Sequence, residues 1–132
     1  MKQNLLLLIA CNIMLYSCSK NDDALTLARP IKKDVIAPIV TMTQPGSVVD
    51  KYSTTTATIT ATDDMALKSV YYYENGVLAR SWSTNSVPGC TATSWELSFP
   101  FQATSNIMYI RVVCTDLAGN ITEINKTITA LY

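Results

Sequence analysis

From about residue 38 onward, apolar and polar positions alternate in short bursts separated by turn residues. The clearest burst covers 54–62. Ala57, Ile59 and Ala61 fall on one side, and Thr56, Thr58, Thr60 and Thr62 on the other. A period of two residues describes a strand with one buried face and one wet face. Bursts at 39–43, 67–74, 77–83, 94–101, 107–115 and 121–130 complete a set of about seven strands. Val70 and Tyr72 are expected inward, as are Trp95, Leu97 and Phe99. So are Ile110, Val112 and Cys114, with Ile124, Ile128 and Ala130 on the last strand. Pro45-Gly46, Asn75-Gly76 and 116–120 are turns, and 84–93 with Pro88-Gly89 is a long loop. Asn75-Gly76 is the strongest hairpin signal, because a type I′ turn needs positive φ at both central positions. No stretch after residue 33 carries a helical period. Short strands at regular spacing, rich in Thr, Val, Ile and Tyr, predict an all-β antiparallel sandwich.

The start of the chain is different. Residues 5–18 form an apolar run broken by Asn12, and Met1-Lys2 gives a brief positive start. The run is shorter than the roughly 20 residues a membrane-spanning helix needs, so it reads as a secretory signal. Leu15-Tyr16-Ser17-Cys18 ends it, and the polar run Ser19-Lys20-Asn21-Asp22-Asp23 follows. This resembles a bacterial lipoprotein signal, with Tyr16 departing from the commoner small or β-branched residue. The resemblance implies removal of 1–17 and lipidation of Cys18. Cys11 is the weaker cleavage candidate, and an ordinary signal peptide with an incidental Cys18 is the competing reading. Residues 20–23 resemble the surface-export tail of Bacteroidetes lipoproteins. That implies the outer membrane, facing the cell surface or otherwise the periplasm. Several acyl chains hold a protein on a membrane where one does so only marginally. Residues 18–33 then carry the lipid and act as a tether, with Arg29-Pro30 stopping any helix, and 34–132 form the domain.

Charge and composition narrow the function. Lys plus Arg number 10 and Asp plus Glu number 10, with no basic stripe, so nucleic acid is an unsuitable partner. Histidine is absent. A Ser-His-Asp triad, a Cys-His pair and a His-based zinc site are therefore excluded. Glu74 and Glu96 are the remaining catalytic pair to weigh, as in glycosidases. Both fall on strands with no cleft-forming layer, so they read as solvated charges and no enzyme is expected. Cys90 and Cys114 either form a disulfide, which an oxidising envelope permits, or stay as two buried thiols.

Three segments carry a more specific resemblance. They are Ala61-Thr62-Asp63-Asp64-Met65-Ala66-Leu67-Lys68-Ser69-Val70, then Glu74-Asn75-Gly76, then Cys114-Thr115-Asp116-Leu117-Ala118-Gly119-Asn120. With the lead-in Asp34-Val35-Ile36-Ala37-Pro38, they resemble bacterial Ig-like domains over about 34–131. The resemblance implies an Ig-like β-sandwich used as spacer, adhesin stalk or accessory module. Tyr71-Tyr72-Tyr73, the cysteine pair and the long 84–93 loop depart from the pattern.

The implied topology draws Asp34, Asp63, Asp64, Asp116 and Asn120 toward one pole. Ca²⁺ takes about 6 to 8 oxygens of this kind, so calcium is the candidate ion, and no other cofactor is expected. The competing reading is that these residues cap turns through backbone amides. Tyr71 and Tyr73 should face opposite to Tyr72, with Trp82 beside them, as an aromatic surface for a glycan or an envelope protein. The expected function is a lipid-anchored, non-catalytic binding or adhesion module. The alternative is a structural spacer or accessory subunit of an outer-membrane assembly.

Overall fold

The computed structural model describes residues 33–84 and 92–132. Eight strands run in order: β1 (Ile39–Gln44), β2 (Val48–Asp50), β3 (Thr54–Thr62), β4 (Leu67–Glu74), β5 (Val77–Ser83), β6 (Ser94–Gln102), β7 (Ile107–Asp116) and β8 (Ile121–Leu131). They form a three-stranded sheet, β1-β3-β6, and a five-stranded sheet, β2-β8-β7-β4-β5. The two pack as an all-β sandwich, as the alternation predicts. Cys18, the tether up to residue 32 and Cys90 lie outside the described residues.

Seven strands fall where the pattern places them. The eighth, β2, is new. It pairs in parallel with β8, Val48 opposite Thr129 and Asp50 opposite Leu131. A segment of three residues is too short to display a period, so its pairing rests on the neighbouring strand rather than on its own sequence.

The inward set is as expected in both sheets. Ala57, Ile59 and Ala61 of β3 meet Leu97 and Phe99 of β6 within the small sheet. Val70, Tyr72, Ile110, Val112, Cys114 and Ile128 cover the facing side of the large sheet. A fully buried side chain such as Ile59 or Ile110 contributes roughly 1.5–3 kcal/mol. The cluster runs from Val40 to Ala130, so a chain starting at residue 19 retains every core residue.

Two local features position the surfaces discussed below. Asn75 and Gly76 both have positive φ, 49° and 83°, as a tight hairpin requires. The Asn75 side chain accepts from the Tyr109 amide at 2.9 Å, which ties this turn to β7. The second feature is an overhang. β5 is the outer strand of the large sheet and is exposed along almost its whole length, Trp82 being half-buried. It extends past the cover of the small sheet, whose own outer strand on that side is β6.

Candidate functional site

Three regions gather the side chains with chemistry to offer: one pole, the outer face of the large sheet, and the flank between β5 and β6.

At the pole, the carboxylates of Asp34, Asp63 and Asp116 come within 4.8 Å of one another. Asp63 begins the β3–β4 turn. Its Oδ2 accepts from the amides of Met65 (3.0 Å) and Ala66 (2.7 Å). Asp116 ends β7 and is fully buried. Its Oδ1 accepts from the Asn120 amide at 2.8 Å, and its Oδ2 from the Asn120 side chain at 2.7 Å. That Asn120 amide group also donates to the Ile36 carbonyl at 3.2 Å, fastening the lead-in segment. Asp34 Oδ1 accepts from the Ile36 amide at 3.0 Å. The capping expected of turn residues is therefore present, and it coexists with the clustering. Asp64 differs from its neighbours: it is exposed and stands outside the trio. Asp63 Oδ1 is buried and has no hydrogen-bond partner. Carboxylates this close repel one another when ionised, and a cation among them would offset that repulsion.

On the outer face of the large sheet, Tyr71 and Tyr73 are half-buried. Tyr71 lies opposite Val113 and Tyr73 opposite Arg111. The Arg111 guanidinium sits 4.4 Å from the Tyr73 ring centre and 3.6 Å from a Glu123 carboxylate oxygen. Tyr109, two residues before Arg111 on the same face, is 62% exposed. Tyr109 and Arg111 escape a reading of the sequence alone. Their outward parity follows from Ile110 and Val112 being inward, but which strands lie side by side does not.

Trp82 is not beside these tyrosines. It lies opposite Val70 on the inner side of the sheet, because a bulge at Ala79 shifts the hairpin register by one residue beyond Tyr73 and Leu78. The three aromatics predicted as one surface are thus split between two faces. Trp82 packs instead on Phe99 of β6, 5.5 Å between ring centres. Tyr72 meets the same Phe99 edge-on at 4.8 Å, and the Arg80 guanidinium lies 4.8 Å over it. Phe99 thus gathers Tyr72, Arg80 and Trp82 along the flank. The Tyr72 hydroxyl is buried without a hydrogen-bond partner. Burial pushes its pKa up, and the Glu74 carboxylate, near it but out of hydrogen-bond geometry, adds to the rise, while Arg80 opposes it.

Glu74 and Glu96 do not meet as a pair. Glu74 ends β4 in the large sheet, and Glu96 is exposed on β6 in the small one. Cys114 is a buried thiol, pushed up to about 11 by burial first and then by Asp63 and Asp116.

The sequence matches no family model, and it matches no curated protein. Solved structures do resemble the fold. One is of CbhA fibronectin(III)-like modules from Clostridium thermocellum, with a TM-score of 0.53 and 21% identity. The match covers 73% of this chain and 47% of that one, so the present chain spans about half of that neighbour. Another is a superoxide reductase (neelaredoxin) from Ignicoccus hospitalis, with a TM-score of 0.51 and 12% identity. That match covers 72% of this chain and 80% of that one. Such identities speak to the fold alone. A fibronectin III-like neighbour agrees with the Ig-like sandwich that the motifs implied.

Proposed function

We propose that this chain is a lipid-anchored, non-catalytic binding module that contacts glycan through the outer face of its large sheet. The observation carrying this is the group of Tyr71, Tyr73, Tyr109 and Arg111 on one wet face. Flat aromatic rings stack on sugar rings, and an arginine with a carboxylate beside it offers hydrogen bonds to hydroxyls. The absence of histidine and the separation of Glu74 from Glu96 speak against catalysis. Cys18 would hold the module on the outer membrane, at the cell surface or on the periplasmic side, with residues 19–33 as tether. The lipoprotein resemblance of residues 5–18 supports that placement.

The test is a glycan array with residues 19–132, run beside a Tyr73→Ala variant and a pull-down from envelope extract. The reading expects glycan binding that the variant weakens. A blank array with a captured envelope protein would replace glycan by protein. A blank array with nothing captured would leave the spacer or accessory-subunit alternative standing.

The acidic pole favours a second reading, a calcium clamp on Asp34, Asp63 and Asp116. It is supported by their closeness and by the unpartnered Asp63 Oδ1. The ion would brace the lead-in segment against both turns. An ion bound only by the native state stabilises it, by about 2.7 kcal/mol when present at 100 times its Kd. Equal melting temperatures in EDTA and in millimolar calcium would dismiss it.

A further inference from the structure

The Tyr72 hydroxyl poses a specific problem. Its residue is fully buried, yet its oxygen has no partner. Burying a hydroxyl unpaired is unfavourable, and phenylalanine would fill the same space without that cost. Two further polar groups stand beside it. Glu74 is two residues along the same face of β4, and Arg80 is directly opposite Tyr72 on β5. Among the described residues, Glu74 and Arg80 are not joined in an ion pair. Trp82 completes the group as a half-buried ring on the same strand as Arg80.

We propose that this flank, between β5 and β6, is a second ligand site, for one ring of a neutral, polyhydroxylated molecule of the saccharide class. The chemistry selects the class. Trp82 supplies a flat apolar surface for the C–H face of a sugar ring. Glu74 accepts and Arg80 donates, so neighbouring hydroxyls find partners of both kinds. The Tyr72 hydroxyl satisfies its own missing bond when Arg80 swings off Phe99 and the ligand enters. Arg80 is exposed, so the swing disturbs no core packing. Acid and base are both present, so a neutral ligand is matched and a charged one leaves one of them opposed. The site is separate from Tyr71, Tyr73 and Tyr109, which face the other way.

Calorimetry on residues 19–132 tests this, with glucose, N-acetylglucosamine, cellobiose and chitobiose as neutral probes. Galacturonic acid and glucosamine serve as charged ones. At least one neutral probe is expected to bind at millimolar concentration or tighter. Glu74→Gln and Trp82→Ala should each weaken it about tenfold. Tyr72→Phe should weaken it several-fold while raising the melting temperature. That combination separates a ligand-binding hydroxyl from a merely structural one. These variants are measured in a Tyr73→Ala background, so that binding at the outer face does not contribute to the signal. The proposal falls if no neutral probe binds, or if a charged probe binds best. It also falls if Tyr73→Ala by itself removes all binding, in which case the outer-face reading stands alone.

Discussion

The acidic pole and the β5–β6 flank handle their polar groups in opposite ways. At the pole, Asp34, Asp63 and Asp116 each accept a backbone amide, and Asn120 ties its own turn to the lead-in. At the flank, a fully buried hydroxyl goes unpaired beside an acid and a base that are not joined to each other. The pole uses polarity to hold backbone in place. The flank keeps polarity that the fold does not use, and such groups are commonly retained for binding at some loss of stability.

Substitutions can break or sharpen that contrast. Phe99 is the centre of the flank, touched by Tyr72, Arg80 and Trp82. Phe99→Ala should cost about 4 kcal/mol in denaturant unfolding, from lost burial plus the cavity left behind. Asp116→Ala should cost about 3 kcal/mol, because two donors on Asn120 lose their acceptor at a buried position. The exposed neighbour Asp64→Ala should stay within about 0.5 kcal/mol. If Asp64 matters as much as Asp116, the pole acts through overall charge and not through its hydrogen bonds.

A pH series probes both regions, since Cys114 feels the pole and Tyr72 belongs to the flank. Each is an acid whose pKa rises on folding, so each favours the folded state while protonated. Stability is expected to be complete below about pH 9 and to fall as the pH rises to about 11, by about 2 kcal/mol for Cys114. Tyr72 extends the fall to higher pH. Cys114→Ala should remove the first part of the decline, with urea midpoints across the series as the readout. One substitution is expected to bring a gain. Tyr72→Phe should stabilise by about 1 kcal/mol, the reverse of the change at Asp116.

The same contrast explains what can be read from the chain before its fold is known. The pole is legible because its chemistry is local: Asp63 caps a turn two and three residues on, and Asp116 reaches Asn120 four residues on. Such spacings are visible in a sequence. Strand positions are legible for a similar reason, since alternation is a property of each strand by itself. The flank is not, because it depends on which residue of β5 faces which residue of β4, and then on β6 across the sandwich. Without that register, Trp82 falls on the wrong face. The bulge is what turns Trp82 inward: it skips Ala79 and sets Tyr72 against Arg80. β2 eludes the pattern because its order comes from β8.

The most direct measurement is quantitative binding of residues 19–132 to a glycan array, with Tyr73→Ala and Trp82→Ala run in parallel. The account predicts saturable binding to neutral glycans, weakened by each variant. A blank array for the unmodified chain, with its fold intact by melting, would contradict the claim that this sandwich is a glycan-binding module.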